Sequence, residues 1–259
     1  MKKAMLVLAV FGLVGSLWAA SPFDGTWKID VNSAQFPEKP QIVVLQNGTF
    51  QCSTCDPKIN VKADGTDQPV QGSIVIDTLA VKVVDNKTVE TTSKKGGRVV
   101  ESVKTTVSAD GNTVTAEFTN YPEASKQPVT GKETLIRVAA GPSGSHATSG
   151  SWRIQKVSAS ENALTFTYKS SPDGMRMSDT IGESYDAKFD GKDYSIKGAT
   201  GYTVSLTKVN DRSIDETVKR DGKIVTVNHL TVSADGKTMS TKSENKVQGT
   251  TTTFTCIKQ

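Results

Sequence analysis

The sequence predicts an all-β protein made of two tandem antiparallel up-and-down β-barrels, which arose by internal duplication and follow a signal peptide. Three observations predict this architecture. The chain of 259 residues opens with a short basic and apolar leader, and its two halves repeat each other at a fixed spacing. Each half also consists of segments rich in valine and threonine that are separated by glycine-containing turns.

Residues 1–20 have the organisation of a secretory signal peptide. Lys2 and Lys3 form a basic start, residues 4–17 form an apolar run, and Ala19 and Ala20 supply small side chains at a cleavage point. The apolar run is shorter than the roughly 20 residues that are needed to span a bilayer. We therefore expect a periplasmic or secreted protein whose mature chain has no membrane span.

The charge of the chain is nearly balanced. It has 31 Lys and Arg against 27 Asp and Glu, and two of the lysines belong to the leader. Acidic and basic residues alternate along the chain, which is typical of a solvated surface of mixed sign. We expect no nucleic acid partner, and the sequence identifies no protein partner.

The internal repeat defines the domains. Residues 107–111 recur as residues 232–236, and residues 25–29 match residues 150–154, so both ends of the repeat share a spacing of 125 residues. Such a long repeat indicates duplication of a whole domain, because solenoid repeats have periods of about 20 to 50 residues. The small and polar segment 140–147 has the composition of a linker. We therefore predict a first domain at 21–139 and a second domain at 148–259.

Each half has the pattern of consecutive β-hairpins. Residues 78–84, 87–95 and 98–107 are rich in valine and threonine and partly alternate, and Asn, Asp and Gly residues between them suit tight turns. We count eight to ten strands in each half and no amphipathic helix of ten or more residues. Closing such a meander into a barrel removes the unpaired edge strands.

Two short motifs resemble the opening of lipocalins and fatty-acid-binding proteins, which are calycins. Gly25 and Trp27, and again Gly150 and Trp152, reproduce the Gly-x-Trp that starts the first strand in these families. The arginine and tyrosine residues that hold a fatty-acid carboxylate in the latter family cannot be matched here. The resemblance therefore implies the fold and not the ligand.

The resemblance also implies that a basic residue of the last strand covers each tryptophan at the closed end of its barrel. Arg137 and Lys258 fall at the corresponding places in the two halves. We therefore expect Arg137 over Trp27 and Lys258 over Trp152. A cation over an indole ring contributes roughly 0.5 to 2 kcal/mol.

Cys52 and Cys55 form a Cys-x-x-Cys motif. Redox motifs of this kind usually stand at the start of a helix, whereas Pro57 and a predicted strand follow this one. A zinc site would need two further ligands. We favour a small loop disulfide, with metal and redox roles as the alternatives, and we expect Cys256 to be a buried apolar residue. No metal or cofactor is predicted.

The second half is the richer in aromatic residues. Tyrosine and phenylalanine suit a ligand pocket, although they suit ordinary barrel packing as well. We expect the second domain to hold the ligand cavity. Its candidate binding residues are Phe166, Tyr168, Tyr185, Tyr194 and Tyr202.

Glu101 stands out in the first half because it alternates in step with apolar residues. If that face lines a barrel, the carboxylate needs a partner or a polar ligand. A local bulge that turns Glu101 to solvent is the alternative, and the sequence favours it.

The sequence contains no established catalytic motif, and we predict that the protein is not an enzyme. The leading hypothesis is an exported protein that binds a small, apolar molecule inside a barrel. The alternative is a structural or interaction module of the bacterial envelope, with filled β-domains and no ligand. Whether the barrel interiors are hollow or filled separates the two hypotheses.

Overall fold

The computed structural model describes residues 21–125 and 127–259, so the predicted signal peptide lies outside the described residues. These described residues form twenty β-strands in two antiparallel sheets, and each sheet of ten strands curls into a barrel. A single 3₁₀ turn (Glu161–Ala163) is the one helical element of the described segments. No helix within those segments has the length and apolar character needed to cross a membrane.

The two halves contribute ten strands each. The first half forms β1 (Gly25–Gln35), β2 (Gln41–Gln46), β3 (Thr49–Cys52), β4 (Ile59–Lys62), β5 (Asp64–Pro69), β6 (Thr78–Val83), β7 (Thr88–Lys95), β8 (Arg98–Val107), β9 (Thr113–Asn120) and β10 (Val129–Ala140). The second half forms β11 (Gly150–Ala159), β12 (Thr165–Ser171), β13 (Gly174–Asp179), β14 (Ser184–Lys188), β15 (Tyr194–Ser195), β16 (Tyr202–Asn210), β17 (Ser213–Arg220), β18 (Lys223–Val232), β19 (Thr238–Asn245) and β20 (Thr250–Lys258).

The two barrels exchange their first strands. β1 pairs with β12 and β20, and β11 pairs with β2 and β10. The first barrel therefore comprises β2 to β11, and the second barrel comprises β1 together with β12 to β20. The sequence repeat predicts a division at the linker, with each barrel built from its own half. The structure differs from that prediction in these two strands.

The exchange of the first strands is symmetric. When β1 to β10 are equated with β11 to β20, the strand order is the same in both sheets. Residues 36–40, which follow β1, include Pro37 and Pro40. Because proline fixes φ and disfavours helical backbone in the residue before it, this segment runs on instead of reversing into a tight hairpin. β11 then occupies the position beside β2 that β1 leaves open, so the backbone groups of both strands stay paired.

Each barrel closes at the edge opposite the exchanged strand. In the second barrel, Ser184 and Lys197 exchange two backbone hydrogen bonds of 3.1 and 2.8 Å. In the first barrel, the edge strands β4 and β5 are consecutive in the chain and are separated only by Ala63. Both sheets are therefore nearly closed barrels, as the sequence predicts.

A tryptophan and a cation occupy one end of each barrel. The guanidinium carbon of Arg137 lies 4.0 Å from the centroid of the Trp152 ring, and Lys258 Nζ lies 5.1 Å from that of Trp27. Each cation is the direct cross-strand neighbour of its tryptophan. The predicted stacking is present, but the partners are the reverse of those expected because the first strands are exchanged.

The glycine of each Gly-x-Trp motif makes room for its cation. Gly25 and Gly150 have φ values of +130° and +144°, a region that side chains disfavour. A Cβ atom at Gly25 would lie 2.6 Å from Lys258 Cε, and one at Gly150 would lie 2.7 Å from Arg137 Nη1. The glycine of the motif is therefore needed for the close approach of the basic side chain of the last strand to the tryptophan ring.

Candidate functional site

The second barrel is filled by its own side chains. One continuous hydrophobic cluster occupies it, and Leu206, Ile214 and Met239 are at most 1% exposed. In its centre the Tyr168 hydroxyl donates a hydrogen bond of 2.8 Å to Glu216, and the Tyr185 hydroxyl donates to the same carboxylate oxygen. Burial raises the pKa of Glu216, and the two tyrosine hydroxyls partly offset that effect.

Most of the aromatic residues predicted to bind a ligand take part in this packing. Phe166 and Tyr168 stack edge to face with their ring centroids 5.2 Å apart, and Tyr185 is 5% exposed. Tyr194 packs against the same cluster and donates a hydrogen bond to Asp190. These four residues are therefore part of the core of the second barrel.

The equivalent positions of the first barrel carry smaller side chains. Val43 faces Gly150 across the sheet as Tyr168 faces Gly25, so the two positions correspond. Ile59 faces Cys52 as Tyr185 faces Met177. The first barrel therefore lacks the two rings that fill the second.

The buried polar pair at the centre of the second barrel is also replaced by smaller residues in the first barrel. Glu216 and Asn228 are paired across β17 and β18, and the corresponding pair on β7 and β8 is Thr91 and Val103. Val43, Ile59, Thr91 and Val103 all line one cavity of about 880 Å³. The first barrel is thus hollow where the second is filled.

The cavity separates the buried side chains of the first barrel into two groups. One surrounds Leu79 and Val81, and the other surrounds Leu135 and Trp152. Its wall is mainly apolar. Further lining residues are Phe50, Val70, Ile76, Val89, Thr105, Val114 and Ala116.

Loops of the second barrel line the same cavity. Residues 198–202 and Arg220 lie along it. This range includes Tyr202, one of the predicted binding residues. The Arg220 guanidinium carbon lies 4.8 Å from the centroid of the Tyr202 ring, and Nη1 donates to its hydroxyl. Glu123 of the first barrel accepts a hydrogen bond of 2.8 Å from the Thr200 backbone. The second barrel therefore covers part of the cavity of the first.

Two glutamates lie along the cavity wall. Glu101 on β8 lines the cavity, although a bulge is present beside it at Val100. The bulge does not turn Glu101 to solvent, which corrects the interpretation that the sequence favours. Glu133 on β10 lines the same space. Sequence reasoning missed Glu133, although its alternation with the buried Leu135 carries the same signal as that of Glu101.

Burial raises the pKa of both carboxyl groups, and the charge of Glu101 raises that of Glu133 further. Glu183, in the turn between β13 and β14, also lines the cavity. Burial and the charges of Asp179 and Glu123 raise the pKa of Glu183 to about 7. The cavity is therefore an apolar space with a net acidic lining.

Cys52 and Cys55 form a disulfide, as the sequence predicts. Cys55 lies on the cavity wall. Cys256 is a free, fully buried thiol, and burial raises its pKa to about 12. Within residues 21–125 and 127–259, no three acidic, histidine or cysteine side chains are grouped so as to hold a metal ion.

Both sheets form nearly closed antiparallel barrels, and a cation covers a tryptophan in each. No protein-family model, curated protein or solved structure matches the chain.

Proposed function

We propose that the chain is an exported, non-enzymatic binding protein that holds a small, mainly apolar molecule inside the first barrel. The cavity of about 880 Å³ carries this proposal. Its size falls in the range of small-molecule sites, which are mostly apolar clefts with a few polar groups. The filled second barrel supports it further, because the same strand order leaves no such space where larger side chains are present.

Two further observations support this reading. The disulfide between Cys52 and Cys55 suits an oxidising compartment such as the periplasm or the cell exterior. The lipocalin-like Gly-x-Trp motif and its cation stand at one end of the hollow barrel, as the resemblance implies for ligand-binding barrels.

The proposal is tested by filling the cavity with the residues of the other barrel. The uncharged fluorescent probe N-phenyl-1-naphthylamine is titrated into the whole chain from Ser21. We expect saturable binding that the double variant Val43→Tyr, Ile59→Tyr abolishes. Ile42→Tyr is the matched control, because Ile42 precedes Val43 and is 37% exposed. Unchanged binding in the double variant, or none in the parent chain, contradicts the proposal.

The filled second barrel favours a second candidate function, a structural or interaction module of the envelope. In that case the first barrel is a less densely packed copy and binds no small molecule. The probe would then bind neither to the parent chain nor to the filling variant.

A further inference from the structure

The acidic residues of the cavity distinguish the hollow barrel from the filled one. Glu101 corresponds to Thr226 at the spacing of 125 residues. Glu133 precedes Arg137 by four residues, as Phe254 precedes Lys258, so these two positions also correspond. Both carboxylates therefore belong to the barrel that has the cavity, and the filled barrel has an uncharged residue in each place.

Neither carboxylate has a partner among the described residues. Burial is the cause of the raised pKa of Glu101, and burial and the neighbouring carboxylate are the causes for Glu133, with no hydrogen bond or cation in either case. A carboxylate removed from water is unfavourable unless it is paired. Two of them along one cavity wall repel each other as well.

The basic residues that line the cavity lie at the ends of strands. Lys95 and Arg98 flank the turn between β7 and β8, and Arg220 ends β17. Arg98 donates to the Tyr121 carbonyl at 2.7 Å, and Arg220 is stacked on Tyr202. Arg98 and Arg220 have these other contacts, and the six acidic residues of the lining outnumber its three basic residues, so the cavity keeps an excess of negative charge.

We propose that the ligand of the first barrel is an amphiphilic amine, whose ammonium group binds at Glu101 and Glu133 while its apolar part contacts Val43, Val103 and Leu135. The inference rests on the proposed binding function and names the class of its ligand. An ammonium group has three N–H donors and suits two carboxylate acceptors. A fatty acid would place a third carboxylate in the same space, so the cavity discriminates against it.

The test compares three ligands with the same apolar chain. Decylamine, decanol and decanoate compete with N-phenyl-1-naphthylamine for the whole chain from Ser21 at pH 7.5. We expect decylamine to bind at least about tenfold more tightly than decanol, the effect of one charge-assisted contact. We expect decanoate to bind more weakly than decanol.

Glutamine variants test whether the two glutamates cause the preference for decylamine over decanol. Glu101→Gln and Glu133→Gln should each lower the affinity for decylamine about fivefold to tenfold and leave that for decanol unchanged. Glu117→Gln is the matched control, because Glu117 neighbours Ala116 on the exposed face and pairs with Lys132. Circular dichroism establishes that each variant is folded.

Two results separate failure of the inference from failure of the binding function. If all three ligands displace the probe equally, the cavity binds apolar molecules and the amine class is wrong. If the glutamine variants keep the preference for decylamine, the assignment of the ammonium group to Glu101 and Glu133 is wrong. If the parent chain binds neither the probe nor any of the three ligands, the binding function itself is wrong.

Discussion

Replacing Arg137 with methionine should destabilise the first barrel, and the loss should be coupled to Trp152 rather than to Trp27. Arg137 donates hydrogen bonds to the carbonyls of Gly111, Ala147 and Ser149 at 2.5, 2.9 and 2.8 Å. At about 1 kcal/mol for each bond and about 1 kcal/mol for the stacking, Arg137→Met should cost about 4 kcal/mol.

A double-mutant cycle isolates the contact with the ring. Arg137→Met, Trp152→Leu and the double variant are unfolded in urea and followed by circular dichroism, and we expect a coupling energy of about 1 kcal/mol. Arg137→Met with Trp27→Leu is the matched control. Because Trp27 belongs to the other barrel, the two losses should add within about 0.5 kcal/mol.

The cycle decides whether the first strands are exchanged. If each half formed its own barrel, β1 would lie beside β10, and Arg137 would cover Trp27. Coupling of Arg137 to Trp27 without coupling to Trp152 would therefore refute the strand exchange. The cycle of Lys258 with Trp27 provides an independent repeat in the second barrel.

Two other predictions concern buried titratable groups. Glu183 has an unperturbed pKa of 4.5 and a pKa of about 7 in the folded chain, so the folded state loses stability as the pH rises through this window. Glu183→Gln should remove this loss and therefore raise the melting temperature at pH 8 but not at pH 4.5. An equal change in melting temperature at both pH values would contradict the raised pKa of Glu183. The oxidised native protein should not react with a thiol reagent, because Cys256 is buried. It should show one thiol when denatured and three after reduction, and a reactive thiol in the native protein would contradict this.

The local patterns of the sequence predict the strands and the cysteine pair, because neighbouring residues determine both. The family resemblance predicts a cation over each tryptophan, but with the partners reversed. The exchange of first strands is a different matter. Residues 25–29 and 150–154 have almost the same sequence, so either segment fits beside β2 or β12. The local pattern specifies a first strand and does not specify which barrel that strand completes.

Aromatic content is an ambiguous signal, because aromatic side chains suit the packing of a core as well as the lining of a ligand pocket. Tyr168 and Tyr185 can be buried inside the second barrel because Glu216 accepts hydrogen bonds from both hydroxyl groups. Glu216 lies 48 and 31 residues away from them in the chain, so no local pattern connects the three. An alignment of the two halves carries the missing signal, since it sets Val43 against Tyr168 and Glu133 against Phe254.

The strand exchange bears on the proposed binding site as well as on the fold. A hollow barrel loses the packing that stabilises a filled one, since side chains that line empty space have fewer neighbours. In this chain, β11 belongs to the second half and completes the first barrel, while residues 198–202 of the second barrel cover part of the cavity. The filled barrel is therefore tied to the hollow one through two crossing segments and through the contact of Glu123 with Thr200. It follows that destabilising the second barrel should weaken the proposed ligand binding in the first barrel, although the interior of the second barrel contributes no proposed binding residue.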